Sequence, residues 1–291
     1  MITGVDRSHV RLRVALAAAL AVSLAPFAAP TPAAAATDLL PDLKMSEPYN
    51  LKIERTRGGR TRLRFGTIVW NVGDGPLEVR AGGRDGRVMY DVVQWIRTRG
   101  GGGHAYSPPG ATAFYSGDGH NHWHIESFVV ISLFPAPGNP QVAESDSAAV
   151  GGPTFRQRGL RKIGFCLTDL VRAPASLRPP GSERRIRYAV GGCGTQGDMS
   201  LRMGISVGYG DDYKPFFNHQ WLDITGLPAG TYRLCATVNS NAMWREKGDN
   251  HANNSYWLDL ELDAERRRLR AVDAGEADCE APPRIVYGAG G

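Results

Sequence analysis

Short apolar runs separated by turn-forming residues dominate the chain. The stretch TRLRFGTIVWNVG, residues 61–73, alternates before it becomes mostly apolar, and PLEVRA follows the turn GDG at residues 73–75. Five further runs have the same character: RVMYDVVQWIRT, HNHWHIESFVVISLF, QWLDIT, GTYRLCATVN and SYWLDLEL. Alternation or β-branched enrichment bounded by Gly, Pro, Asn or Asp is typical of strands. Because no stretch keeps a helical period, the pattern predicts an all-β chain.

Two long segments rich in Gly or Pro interrupt these runs. They are RTRGGGGHAYSPPG and RAPASLRPPGSERR. Such segments suit irregular excursions over the surface of a β scaffold. The chain has no internal repeat and no sign of a second folded domain. The architecture that fits best is a single antiparallel β-sandwich with long irregular loops.

The first 36 residues have the layout of a secretory signal. A basic lead-in, MITGVDRSHVRLR, precedes the apolar run VALAAALAVSLAPFAA and the small-residue end PTPAAAA. The apolar run is short and broken by Pro26, which favours export and cleavage over an N-terminal membrane anchor. We therefore expect a signal peptide over residues 1–36 and a mature domain over residues 37–291. The protein is expected to be secreted or extracytoplasmic, with no membrane association after cleavage.

Charge and cysteine content narrow the class further. Removal of residues 1–36 lowers the formal net charge from +5 to +3. The arginines are scattered, apart from ERRRLR near the C-terminal end, which argues against nucleic-acid binding. Four cysteines, an even number, favour disulfides in an exported chain, and three connectivities are possible. Nearest-neighbour pairing is preferred: Cys166 with Cys193 and Cys235 with Cys279.

Three of the seven histidines, His120, His122 and His124, occupy alternate positions in HNHWH. In an extended segment, side chains at every second position share one face, so the three imidazoles would converge. Imidazole suits copper, zinc, iron or nickel, and three protein ligands leave a position open for chemistry. The competing interpretation is a polar strand face whose histidines only form hydrogen bonds. We favour a metal site.

The histidines alone do not select the metal or the reaction. Glu126 continues the same strand face, so it would supply the carboxylate of an iron site, which would then have four protein ligands, or serve as the general base of a zinc hydrolase. A non-catalytic exported protein that binds copper or zinc would also keep the histidines. The chain uses only five lysines beside 29 arginines. One of them, Lys162 in GLRKIGFCLTD, carries an amine that can lose its proton and act as a nucleophile, which a guanidinium cannot.

Several phrases of the chain occur in the order seen in the lysyl oxidase family: HNHWH, KIGFCLTD, CGTQG, GYGDDY and QWLDITGLPAGTYRL. DLLPDL and LRFGTIVWNVGDGPLEV also resemble the segment that leads into the family's copper motif. The chain thus resembles a bacterial-type member over roughly residues 38–262, with loops of different length. The resemblance implies a secreted copper amine oxidase. Its substrates would be primary amines, either peptidyl lysine or small amines, which it would oxidise with molecular oxygen to aldehydes, releasing hydrogen peroxide and ammonia.

The resemblance also assigns residues to roles. The implied copper ligands are His120, His122 and His124. The implied cofactor is a lysine tyrosylquinone made by crosslinking Lys162 to Tyr209. Tyr213 is the alternative tyrosine, because the insertion YKPFFNH separates this region from QWLDIT. Tyr209 is preferred since it follows Gly208 and precedes Gly-Asp.

One position departs from the family's pattern. Vertebrate members carry an aspartate two residues before the quinone tyrosine, proposed as the proton-abstracting base, and with Tyr209 that position is Val207. Asp211 or Asp212 would then replace it. Together with Glu126, these carboxylates would also attract a cationic amine to the site. The natural amine and the oligomeric state are not predicted.

Overall fold

The structure, a computed structural model, describes residues 37–117, 119–136, 158–159, 164–249, 251–277 and 279. The predicted signal peptide lies outside these residues. The described chain consists of strands and loops, with three short 3-10 turns at Ala175–Leu177, Val190–Cys193 and Lys247–Asp249, so the all-β prediction is confirmed. None of its helical segments is long and apolar enough to cross a membrane.

The strands are β1 Asp38–Leu39, β2 Leu43–Met45, β3 Tyr49–Arg55, β4 Thr61–Asn71, β5 Leu77–Asp85, β6 Val88–Thr98, β7 Gly103–Tyr106, β8 Ala113–Tyr115, β9 Trp123–Glu126, β10 Val129–Pro135, β11 Arg158–Gly159, β12 Gly164–Phe165, β13 Val171–Arg172, β14 Leu201–Ile205, β15 Tyr209–Tyr213, β16 Trp221–Asp223, β17 Gly230–Val238, β18 Ser255–Asp263 and β19 Arg268–Gly275. Their pairings are antiparallel throughout, and they form three sheets. An eight-stranded sheet follows the order β12-β9-β8-β6-β5-β14, with β1 and β7 also paired to β6.

The other two sheets complete the scaffold. A five-stranded sheet has the order β11-β10-β17-β18-β19, and a six-stranded sheet has the order β13-β15-β4-β16, with β2 and β3 also paired to β4. All three sheets contribute to one hydrophobic cluster, which includes the fully buried Trp123, Leu234 and Phe65. The alternating positions of the sequence are therefore the positions that face this common core.

The run HNHWHIESFVVISLF, predicted as one extended segment, forms two strands in different sheets. β9 ends at Glu126 in the eight-stranded sheet, and β10 begins at Val129 in the five-stranded sheet. Ser127 between them has a φ of 54°, a left-handed backbone that interrupts a strand. The chain therefore leaves the first sheet directly after the strand that carries His124.

Several strands were not predicted because their sequences lack the apolar pattern. β7 lies inside the glycine-rich segment RTRGGGGHAYSPPG and pairs with β6. β15 has the sequence YGDDY, and β19 has RLRAVDAG. In β15, however, Asp211 is fully buried in the middle of the strand. A fully buried carboxylate is rare in a strand unless it has a specific partner or role.

Both preferred cysteine pairings are present in the structure. Cys166 is bonded to Cys193 with a Cα–Cα distance of 5.7 Å, and Cys235 is bonded to Cys279 with a Cα–Cα distance of 6.1 Å. The first bond joins the segment after β12 to the 3-10 turn Val190–Cys193. The second ties β17 to the chain beyond β19. No cysteine is left as a free thiol among the four, all of which the structure describes.

Candidate metal centre and its cavity

Three imidazoles, those of His120, His122 and His124, converge in the structure. One ligand nitrogen from each lies within 4.8 Å of the other two. The ring centroids are 5.5 Å apart for the first and second histidines, 5.4 Å for the first and third, and 4.7 Å for the second and third. The described part of the chain holds one group of this kind. The geometry is that of a three-histidine metal site with room for further ligands.

The histidines converge for a different reason from the one that alternation predicts. Only His124 lies on a strand, β9, whereas His120 and His122 lie in the turn and bend that precede it. Gly119 has a φ of 99° and Asn121 a φ of 53°, so the backbone is left-handed on both sides of His120. The prediction that one strand face carries all three is therefore wrong. A turn folds the first two back towards the third.

A close approach of two strands supports His124, the buried member of the three histidines. Its ring packs edge-on against Phe114, with a centroid distance of 5.6 Å. On the other side, Gly164 of β12 pairs with Glu126 of β9. A Cβ on Gly164 would lie 2.6 Å from the Cβ of His124 and 2.4 Å from a ring carbon of Phe114. The glycine of KIGFCLTD is therefore required for β12 to lie against the metal-site strand.

A cavity of about 400 Å³ opens beside His120 and His122. Its lining includes Asp211 and Tyr213 of β15, whose side chains are buried. In a strand, residues two apart point to the same face, so the aspartate and the tyrosine face this cavity together. The structure thus brings a carboxylate and a phenol to the histidine site.

Tyr213 is held firmly in this position. Its hydroxyl donates a hydrogen bond of 2.9 Å to the backbone carbonyl of Cys166, and its ring lies edge-on to Phe165 with centroids 4.6 Å apart. Burial, and then the charge of the adjacent Asp211, raise the pKa of Tyr213 well above its usual value. The metal-free protein therefore keeps this phenol protonated at neutral pH.

Tyr209, the tyrosine preferred from the sequence, begins the same strand. It is buried but does not line the cavity, and its register partner is Arg172 of β13. Four residues of strand separate it from Tyr213 by about 13 Å. Val207 precedes Tyr209 by two residues and is therefore still further from Tyr213, whereas Asp211 precedes Tyr213 by two residues. The structure therefore favours Tyr213 over Tyr209, and this choice restores the aspartate–tyrosine spacing that the resemblance implies.

Residues 161–271 match the family model described as lysyl oxidase. This part of the chain is similar to the lysyl oxidase family. The matched segment contains Lys162, Asp211 and Tyr213, whereas the three histidines precede it. No curated protein matches the chain. The similarity indicates an oxidoreductase that acts on amines, and the two disulfides are typical of an extracellular protein.

The end of KIGFCLTD, which lies in the segment similar to the lysyl oxidase family, supports the candidate site. The Thr168 hydroxyl donates to the Asp211 carboxylate over 3.2 Å. The buried Asp169 accepts hydrogen bonds from the backbone N–H groups of Arg187 at 2.8 Å and Tyr188 at 3.1 Å. It also accepts from the N–H and the hydroxyl of Ser206, at 2.7 and 2.8 Å. Sequence reasoning missed these two roles, although Thr-Asp directly after an apolar run was a usable signal.

Asp169 thereby anchors residues 187–193, which we call the wall segment because Val190 lines the cavity. The segment is fixed at two further points. The Tyr188 hydroxyl donates to Glu78 of β5 over 2.7 Å, and Cys193 is bonded to Cys166. A loop without regular strands is therefore held in place by a carboxylate, a buried phenol and a disulfide.

The remaining predicted site residues lie elsewhere or outside the described residues. Lys162 lies outside them, two positions before β12. Glu126 is exposed and accepts a 2.8 Å hydrogen bond from the Thr112 hydroxyl, and it does not line the cavity. Asp212 points to the opposite face of β15, where the Tyr49 hydroxyl donates to it. The structure therefore does not bring the expected base of a zinc hydrolase to the histidines.

Proposed function

We propose that this protein is a secreted copper-dependent amine oxidase whose cofactor is a lysine tyrosylquinone formed from Lys162 and Tyr213. The observation that carries the proposal is the shared cavity. Imidazoles of His120 and His122 line one side of it, and the buried Tyr213 lies with Asp211 on another. The similarity of residues 161–271 to the lysyl oxidase family supports the same interpretation. The substrate is a primary amine, either peptidyl lysine or a small amine.

The donor set fits copper. Three imidazoles are ligands that Cu(II) accepts well, and Cys166 offers no thiolate at the described site because it is in a disulfide. The ligands we propose are His120, His122 and His124. When bound, copper and the quinone supply the oxidation of a primary amine and water to an aldehyde and ammonia, with molecular oxygen reduced to hydrogen peroxide.

The protein's own residues orient the reacting groups and accept protons. The cavity places the carboxylate of Asp211 beside Tyr213, where it can accept a proton from the carbon next to the substrate nitrogen. The hydroxyl of Thr168 orients this carboxylate, and the carbonyl of Cys166 orients the phenol. Because Asp211 is fully buried, little water competes for the proton.

The position of Lys162 in the chain is consistent with the crosslink. It precedes Phe165 by three residues, and the Phe165 ring contacts Tyr213 edge-on. Three residues of extended chain span at most about 10 Å, so the length of the chain is compatible with the proposed crosslink. A lysine amine can add to an oxidised ring, whereas arginine stays protonated at the pH of the cell exterior.

The experiment is to map the crosslink in protein loaded with copper in air. Digestion on the N-terminal side of aspartate separates the two candidate tyrosines, because Asp211 and Asp212 stand between Tyr209 and Tyr213. After reduction of the disulfides, mass spectrometry should find the peptide that contains Lys162 joined to the peptide that begins at Asp212. Quinone redox staining should accompany this crosslink.

Three variants sharpen the result. Lys162→Arg and Tyr213→Phe should each bind copper yet lose the crosslink, the staining and amine-dependent peroxide release. Tyr209→Phe, the matched control, should keep all three. If the copper-loaded wild type instead yields unmodified Lys162 and Tyr213 peptides, the protein is not an oxidase of this type. If Lys162 is joined to the Tyr209 peptide, the assignment of the tyrosine is wrong.

A further inference from the structure

The rim of the cavity is unusually apolar. Seven large hydrophobic side chains are exposed in the part of the chain that the structure describes, and three of them line this one cavity. Those three are Leu170, Val190 and Phe216, with exposed fractions of 44, 53 and 68%. Exposed apolar residues that cluster around a concave site mark a surface that binds an apolar partner.

An aromatic wall connects this rim to the floor. Phe216 lies edge-on to Phe217 with ring centroids 5.2 Å apart, and Phe217 lies edge-on to Tyr213 with centroids 6.3 Å apart. Exposure falls along the same path, because Phe217 is half-buried and Tyr213 is buried. A ligand that enters along this wall passes from hydrocarbon at the rim to the phenol and carboxylate at the floor.

The charge of the cavity lining also changes between the floor and the rim. Asp211, at the floor, is the one carboxylate among the described residues that line the cavity. The ammonium group of an amine is therefore attracted inward, while the rest of the molecule meets phenyl and aliphatic side chains. A second ammonium group at the far end of the molecule would lie against Phe216 and Val190, where the described lining offers no carboxylate to offset the cost of desolvating it.

The rim is also held in place. Val190 belongs to the wall segment, which Asp169, Glu78 and the Cys166–Cys193 bond tie to three different parts of the scaffold. Leu170 follows Asp169 directly, and its N–H donates to the carbonyl of Gly210 in β15 over 3.0 Å. Exposed apolar side chains on such an anchored frame cannot collapse inward and remain available to a ligand.

We infer that the preferred substrate is a primary amine on a hydrocarbon body, alkyl or aryl, rather than a diamine or polyamine. This inference rests on the proposed amine oxidase activity. It assigns Leu170, Val190 and Phe216 as the residues that select the substrate, because they contact the part of the molecule that lies beyond the reacting carbon.

The kinetics of amine-dependent peroxide release test this substrate preference. The probes are n-hexylamine and 1,6-diaminohexane, which have the same carbon chain and differ in the group that reaches the rim. Copper-loaded wild type should give a kcat/KM at least tenfold higher for n-hexylamine. Phe216→Asp should lower the kcat/KM for n-hexylamine and raise the kcat/KM for 1,6-diaminohexane, so that the diamine becomes the better substrate. Met199→Asp is the matched control, because Met199 is 64% exposed and does not line the cavity.

A binding measurement separates this inference from the proposed activity. Saturation-transfer NMR on the metal-free protein should show transfer to the methylene protons of n-hexylamine, and Phe216→Asp should abolish it while Met199→Asp should not. Absence of peroxide with every amine would overturn the proposed function. Peroxide release with equal or better use of the diamine, or no effect of Phe216→Asp in either assay, would overturn the substrate preference alone.

Discussion

Replacement of Glu78 by glutamine would test the anchor behind the wall segment. The Glu78 side chain on β5 is fully buried and is the common acceptor for three arginines and a phenol. Arg80 donates to it over 2.8 Å, Arg97 over 3.1 Å and Arg202 through two nitrogens over 3.0 Å each. Tyr188 of the wall segment donates over 2.7 Å. Glutamine keeps the size of the side chain but removes the charge and one acceptor oxygen.

The size of the expected effect follows from the acidity of this carboxyl. Burial alone would raise the pKa of Glu78, but the hydrogen bonds from Arg202, Tyr188, Arg80 and Arg97 outweigh it and lower the pKa to about 2 from a reference value of 4.5. The difference corresponds to about 3 kcal/mol of folding free energy at neutral pH. Because the pKa is lowered in the folded state, this contribution is complete above the unfolded value and is lost as the pH falls from 4.5 towards 2.

Urea unfolding with the disulfides intact, followed by tryptophan fluorescence, measures this contribution. At pH 7, Glu78→Gln should lower the free energy of unfolding by about 3 kcal/mol, and at pH 3 by about half as much. The matched control is Glu261→Gln. Glu261 pairs with Arg270 at the surface, with both side chains more than half exposed, so the change should stay within about 0.5 kcal/mol. Equal losses in the two variants, or a Glu78→Gln effect that grows towards pH 3, would refute the reasoning.

Three further predictions concern the metal site and export. His122→Ala should reduce bound copper from about one ion per chain to a small fraction, as measured by elemental analysis; full occupancy in this variant would contradict the assigned ligands. Gly164→Ala should cost about 1–3 kcal/mol in urea unfolding and weaken copper binding, since its Cβ would meet the strand of His124. Gly197→Ala, where a Cβ would meet nothing within 4 Å, should leave both measurements unchanged. N-terminal sequencing of secreted protein should begin near Thr37, and retention of Met1 would contradict cleavage.

Alternation along the chain was a reliable guide to the long strands and a poor guide to the short ones. β4, β6 and β17 lie where the apolar pattern predicts them, because each has one face in the common core. β15 could not be predicted in this way. Its sequence, YGDDY, places a buried carboxylate where a core residue is expected, and that carboxylate serves the site rather than the packing.

The candidate site was predictable in its residue types and less so in their arrangement. The spacing of His120, His122 and His124 indicated convergence, but left-handed residues in the preceding turn, not a strand, produce it. Glu126 follows the same alternation and nevertheless lies outside the cavity. Alternation predicts which side chains share a face only within a continuous strand. The residues at which a strand begins and ends depend on tertiary packing, which local periodicity does not describe.

The choice between the tyrosines needed the fold. Short-range context favours Tyr209, and in that interpretation the aspartate two residues before Tyr213 only replaces the carboxylate missing at Val207. Only the approach of β12 and the residue after it, through the Phe165 ring and the Cys166 carbonyl, brings Tyr213 to the cavity that His120 and His122 line. That contact joins positions 47 residues apart in the chain, a distance over which no local pattern carries information.

The bond between Cys166 and Cys193 also has a chemical consequence for the order in which the protein matures. Cys166 lines the same cavity as His120 and His122. As a thiolate it would compete for copper with the imidazoles, and it would be a nucleophile within reach of any quinone formed on Tyr213. Oxidation to the disulfide would remove both reactions. Under the proposed function, oxidative folding would therefore have to precede copper loading, because copper that reached the reduced chain would meet a thiolate at the site.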